Sequence, residues 1–114
     1  MSGAIQEKSF AFAVRIVRLY KYMRTSKQEY IMTKQLLRSG TSIGANVAEA
    51  QQAQSRADFI NKLNIALKEA YETHYWIRLL NATDYLTAQQ YHSIASDCAE
   101  LERLLIAILR STKE

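Results

Sequence analysis

Proline is absent from this 114-residue chain, glycine occurs three times and cysteine once. Without proline the commonest helix breaker is missing, and scarce glycine leaves few sharp turns, so long uninterrupted helices are favoured. A single cysteine, Cys98, excludes a disulfide framework. It fits a reduced, cytoplasmic setting in which the thiol packs as a small hydrophobe. Charges interrupt every apolar run before the roughly 20 residues of a membrane span, so a soluble protein with no membrane partner is expected. The start, Met-Ser-Gly-Ala-Ile-Gln-Glu-Lys, lacks the basic segment and apolar block of a secretory signal. No linker-like or low-complexity stretch divides the chain, which reads as one domain over residues 1–114 with frayed ends at 1–8 and 111–114.

Catalytic patterns are equally scarce. A two-metal bundle needs inward carboxylates and Glu-x-x-His pairs, and no Glu-x-x-His occurs. His74 and His92 lack a matching ligand cluster, so no metal and no cofactor are expected. Cys98 has no local Cys-His nucleophile pattern, and no serine has a base and oxyanion arrangement. Neither histidine follows the compact Arg-to-His spacing of a helical ribonuclease. The stretch Gly40-Thr-Ser-Ile-Gly44 has no phosphate-loop lysine and reads as small-residue helix packing. A non-enzymatic protein is the expectation.

What is present is apolar spacing of three and four, the period of helices. The pattern predicts helix 1 over about Ser9 to Arg24, with adjoining stripes Phe10, Val14, Val17 and Ala13, Ile16, Tyr20. Ser26 with Glu29 forms a capping-box signal for helix 2. Its core face would be Met32, Leu36, Ser39, Ile43 and Val47, with Gly40 and Gly44 admitting a close neighbour, and it would run to about Ala53. Ser55 with Asp58 opens helix 3 from about Arg56 to Leu80, burying Phe59, Leu63, Ala66, Ala70 and Ile77, with a left-handed Asn81 as its stop. Thr87 with Gln90 opens helix 4, burying Tyr91, Ile94, Cys98, Leu101, Leu105 and Ile108 and ending near Arg110. Short connections make this an all-α, antiparallel up-down-up-down four-helix bundle. Helices 2 and 3, about 25 residues or nearly 40 Å each, would overhang a shorter helix 1. Leu37, Ile31, Tyr75, Trp76, Leu79 and Tyr85 fall at outward or edge positions, which a homo-oligomer would cover or a monomer simply expose.

Charge is uneven along the chain. Residues 1–56 carry nine Lys/Arg against three Asp/Glu, residues 57–114 six against eight, and the net charge is +4. The basic excess centres on Arg15, Arg18, Lys21 and Arg24, followed by Lys27, Lys34 and Arg38. Arg15, Arg18 and Lys21 recur every three residues as a ribbon beside Tyr22, able to attract phosphates while the tyrosine stacks on an unpaired base. A solvated charged face or contact with an acidic protein explains the same residues, so RNA, DNA and protein partners all stay open. Asn46, Glu49, Glu69 and Glu72, with Arg38 and Arg78 as cationic partners, read as a polar network between the middle helices, or as the wall of a ligand cleft.

Lys34 to Asn46, KQLLRSGTSIGAN, continues into VAEA and, after a gap, Asp58-Phe59 and the segment LNIALKE from Leu63 to Glu69. This order resembles the four-helix-bundle proteins encoded in intervening sequences of bacterial large-subunit ribosomal RNA genes, a family related to accessory proteins of diversity-generating retroelements. The resemblance covers nearly the whole chain. It implies a ring-like homopentamer, and the accessory members imply RNA and reverse-transcriptase binding through basic surfaces. It carries over no catalytic residue, makes Asn46, Glu49 and Glu69 architectural, and leaves Arg15, Arg18 and Lys21 as the nucleic-acid contacts.

Overall fold

The computed structural model describes residues 3–113 and contains four helices: α1 Gly3–Ser26, α2 Met32–Ala50, α3 Arg56–Ala82 and α4 Ala88–Lys113. Each packs on the next and α4 returns to α1, whereas diagonal helices make no close approach; the α1–α4 seam is the thinnest. Cross-helix contacts give the directions. Ser39 meets Thr73 and Glu49 meets Lys62, Ile16 lies against Gly40 and Ser9 against Gly44, and Arg15 reaches Asp97 while Lys8 reaches Glu100, so α1–α2, α2–α3 and α4–α1 run antiparallel and α3–α4 follows from the other three. The bundle measures 44 × 21 × 19 Å, the length expected of its 27-residue α3 at about 1.5 Å per residue.

Helix α1 begins six residues before the expected Ser9, because Ile5 and Ser9 extend the buried stripe through Phe12, Ile16 and Met23. Gly3 to Lys8, expected to fray, are helical, as are Ser111 to Lys113, while residues 1, 2 and 114 lie outside the described residues. The stripe therefore passes through Phe12, and Phe10 is 72% exposed. Of the two stripes expected from spacing, only Ile16 is fully buried. Helix α3, with 27 residues, is long as expected, but the length order of α1 and α2 is reversed. Helix α2, with 19 residues, is the short one, and α1 has 24.

Glu29 governs the first turn. Its backbone N–H donates to the Met23 carbonyl (3.0 Å) beside Gln28 at φ 53°, and its buried carboxylate accepts from the N–H groups of Ile31, Met32 and Thr33 at 3.1, 2.8 and 2.8 Å. These are orphan donors of a helix start, and a carboxylate there also meets the positive end of the helix dipole. The expected Ser26 cap does not form, since Ser26 closes α1 instead. Leu36, Ser39, Ile43 and Val47 are buried as the spacing predicts. Gly40 and Gly44 let α1 approach: a Cβ on Gly40 would fall 2.8 Å from Ile16 Cγ1, and one on Gly44 3.2 Å from the Ser9 carbonyl oxygen.

Ser55 caps α3 by accepting from the Asp58 N–H (3.0 Å), and Thr87 and Gln90 cap α4 reciprocally at 2.9 and 3.1 Å. Helix α3 passes through Asn81 and ends in a Schellman motif. Tyr85 donates to Leu80 O, Asp84 donates to Asn81 O, and Asp84 takes the left-handed conformation (φ 70°) expected of Asn81. Helix α2 stops at Ala50, three residues short of expectation, because Ala50 is the last residue of the buried stripe. No helix among the described residues is long and apolar enough to cross a membrane.

Candidate nucleic-acid interface

The antiparallel pairings bring residues 16–39 and 73–95 to one end of the bundle. That end carries seven Lys/Arg (Arg18, Lys21, Arg24, Lys27, Lys34, Arg38 and Arg78) against two acids, Glu29 and Asp84. The other described residues balance, eight against eight. Glu29 spends its charge on backbone N–H groups, so little at this end offsets the cations. Among the described residues, Arg18, Lys21, Lys27, Lys34 and Arg38 are exposed and their side chains make no hydrogen bond or ion pair. Aromatic surface lies among them. Tyr22, Tyr30 and Tyr75 are exposed, and Ile31 at the turn is 79% exposed.

Two of the expected cations are engaged. Arg15 lies on the flank that faces α4, where its guanidinium pairs with Asp97 and bonds Ser93 Oγ (3.0 Å) and the Ser93 carbonyl (3.3 Å). It serves as a strap between helices, and the ribbon of free charge starts at Arg18. Arg24 donates to the Tyr20 hydroxyl (3.0 Å), with its guanidinium carbon 5.3 Å from the ring centres of both Tyr20 and Tyr30. That contact stiffens Arg24 and Tyr30 while both stay exposed.

Among the described residues, Glu49 is the one expected network residue whose side chain links α2 to α3, and it does so at the surface rather than in the core. Glu49 is exposed and pairs with Lys62 (2.9 Å), a bond that raises the lysine pKa above its ordinary value. Asn46 donates to the Ser42 carbonyl of its own helix (2.8 Å). Glu72 and Arg78 are exposed, Arg38 points to solvent, and Glu69 is half-buried with no side-chain hydrogen bond or ion pair among the described residues. The buried polar contact between these helices is smaller: Thr73 Oγ1 lies 2.9 Å from Ser39 Oγ and 2.7 Å from the Glu69 carbonyl oxygen. Two small hydroxyls satisfy each other there, which costs far less desolvation than burying carboxylates.

One cluster was not visible in the sequence. His74 Nδ1 lies 2.8 Å from Glu102 Oε2, and Cys98 Sγ lies 3.8 Å from the same oxygen and 3.4 Å from the Ala70 carbonyl oxygen. Burial, and then the Glu102 carboxylate, push the thiol pKa well above its ordinary value. The signal available was the i, i+4 spacing of Cys98 and Glu102. Which residue of α3 faces that pair depends on the α3–α4 register.

Away from the basic end, a groove of about 550 Å³ runs between the first half of α1 and the second half of α2, lined by Gln6, Ser9, Ala13, Gly44 and Ala48 with Phe10 at its edge. Its floor is mostly small and apolar.

The match to a family model settles ancestry: the description "23S rRNA-intervening sequence protein" covers residues 3–107. The chain belongs to this family. A similar solved structure is that of a protein of unknown function from the S23 ribosomal protein family of Bacteroides thetaiotaomicron VPI-5482, with 60% identity, a TM-score of 0.94, and coverage of 95% of this chain and 96% of that one. No curated protein matches the chain. The intervening-sequence protein thus shares its four helices and nearly its full length with a crystallised relative.

Proposed function

We propose that this intervening-sequence protein is a non-enzymatic homo-oligomer whose basic end holds nucleic acid, RNA in preference to DNA. The observation that carries the reading is the collection of Arg18, Lys21, Lys27, Lys34 and Arg38, all unpaired, at one end of the bundle. Free cations release counterions from a phosphate backbone, and exposed Tyr22, Tyr30 and Tyr75 offer faces for unstacked bases, which RNA loops and bulges supply. A buried, protonated thiol as the only cysteine gives no nucleophile, in keeping with a binding role. Assembly through the groove beside Phe10 would leave the basic end open, since the two lie at opposite ends of α1 and α2.

Fluorescence anisotropy with a structured RNA and a matched DNA duplex, across a salt series, tests the reading. Five phosphate contacts predict a log K against log salt slope of about −4, near −0.9 per contact for duplex DNA and −0.7 for single strands. Replacing Arg18, Lys21, Lys34 and Arg38 with Ala should remove most of that slope, whereas Arg103→Ala with Arg110→Ala should leave it unchanged. Absence of binding at low salt would overturn the reading in favour of a protein-interaction module whose basic end meets an acidic surface.

A further inference from the structure

We propose that His74 Nδ1, Cys98 Sγ and a Glu102 carboxylate oxygen form a site for one divalent transition metal ion, zinc by the chemistry of the donors, bridging α3 and α4. Imidazole, thiolate and carboxylate are the three donor types zinc takes from proteins, and their mixture disfavours magnesium and calcium, which select oxygen alone. The three donor atoms lie within 4.8 Å of one another, and no other such trio of His, Cys, Asp or Glu occurs among the described residues.

Two of the three donor separations are close to what a tetrahedral ion needs, and the third, between His74 Nδ1 and Cys98 Sγ, is within 4.8 Å and closes by up to about 1 Å as the imidazole turns inward. Bonds of about 2.0–2.3 Å place neighbouring donors roughly 3.3–3.6 Å apart. The S···O separation of 3.8 Å closes by a few tenths, and the N···O separation of 2.8 Å opens by about half an ångström, a change within side-chain rotation. Cys98 and Glu102 stand one turn apart on the same face of α4, and His74 faces them from α3, so two rigid helices hold the donors. Thiolate and carboxylate together cancel the ion's two charges, and the fourth position falls to water.

Access is provided on one side. Cys98 is fully buried, while the side chains of His74 and Glu102 are 28% and 13% exposed, so the ion enters past the imidazole. On binding, the S–H bond breaks as the S–metal bond forms and the proton leaves to solvent. His74 Nδ1 gives up the proton it shares with the Glu102 carboxylate, the imidazole keeps or takes its one ring proton at Nε2 by exchange with solvent, and the freed Nδ1 lone pair turns to the ion. The hydrogen bond from the thiol to the Ala70 carbonyl is given up in the exchange. This trio lies between α3 and α4, and the unpaired cations lie on α1, α2 and their turn, so the inference stands apart from nucleic-acid binding.

Full-length protein, reduced with a phosphine and freed of metal, should be titrated with Co²⁺ followed by absorbance, then with Zn²⁺ against a chromophoric chelator. The expected result is one ion per chain, a thiolate-to-cobalt charge-transfer band with intense tetrahedral d–d bands, and displacement of Co²⁺ by Zn²⁺. Cys98→Ala should abolish the charge-transfer band, and His74→Gln and Glu102→Gln should each weaken Zn²⁺ binding at least tenfold. Zinc should also raise the melting temperature of the native chain but not of Cys98→Ala. Should that variant not fold, the native chain's cobalt spectrum decides alone. A cobalt complex without the sulfur band, or less than half an ion per chain, would overturn the proposal.

Discussion

The carboxylate of Glu29 takes three backbone N–H groups at the start of α2 while its own N–H closes on the Met23 carbonyl, so one side chain and one amide organise the whole α1–α2 turn. Removing the carboxylate strands up to three donors in a nearly closed setting, where a lost cap costs about 0.5–2 kcal/mol and an unsatisfied buried group about 1–3. Glu29→Ala should therefore lower unfolding stability by about 2 kcal/mol in urea titrations, and Glu29→Gln, which keeps one acceptor oxygen, by about half of that. A loss under about 0.5 kcal/mol for Glu29→Ala would show that water replaces the carboxylate without penalty. The sequence marks Glu29 as a helix-start residue, yet not its manner of capping. A capping box places Glu inside the first turn, whereas here it precedes the helix and reaches forward. Phe10 and Phe12 illustrate a similar limit: the segment Phe10 to Tyr20 is apolar on two adjoining faces, and only Ile5 and Met23, further out, tip the buried stripe to Phe12.

Between helices, the starts of α3 and α4 were legible because Ser55 with Asp58 and Thr87 with Gln90 are local hydrogen-bond devices that need no tertiary partner. Helix ends and lengths were less so. They follow from how far the buried stripe runs and from turns such as the Schellman motif at Asp84, both set by packing. The α1–α4 seam is the clearest case of a charged residue read for one role and found in another. Arg15 is half-exposed and paired with Asp97, and Lys8 pairs with Glu100 at 3.1 Å, so electrostatics assist the thinnest helix contact. Pairs this exposed contribute about 0.2–1 kcal/mol and are screened by salt. A double-mutant cycle with Arg15→Gln and Asp97→Asn should give a coupling of about 0.5 kcal/mol at low salt that fades toward zero near 1 M. Arg15→Gln should leave nucleic-acid affinity unchanged; a drop as large as that from Arg18→Ala would mean that Arg15 leaves Asp97 to meet phosphate.

For the molecule as a whole, the hairpin topology turns an asymmetry between the two halves of the sequence into one between the two ends of a rod. Residues 16–39 fold beside residues 73–95, and the acids that balance the chain collect at the far end with the apolar groove. Net charge along the chain was readable; its division between ends needed the antiparallel pairings. Under the proposed function, the same division would let one molecule assemble through one end and bind through the other, and the two proposed activities should then be separable by mutation. Phe10, 72% exposed at the groove's edge, is the residue through which to separate them. A carboxylate there meets water in the monomer and an apolar surface in an assembly, so Phe10→Asp should leave helix content and single-chain stability within about 0.5 kcal/mol of the parent while breaking the oligomer. Light scattering coupled to size exclusion reads the mass directly, with five chains expected for the parent by family resemblance and one for the variant. Loss of assembly should also weaken RNA binding more than it lowers the charge per chain, because several basic ends on one particle raise the effective concentration of each for a shared strand. A Phe10→Asp protein that keeps the parent's mass would remove the groove as the interface, and one that becomes monomeric yet binds RNA as tightly would show that a single basic end suffices.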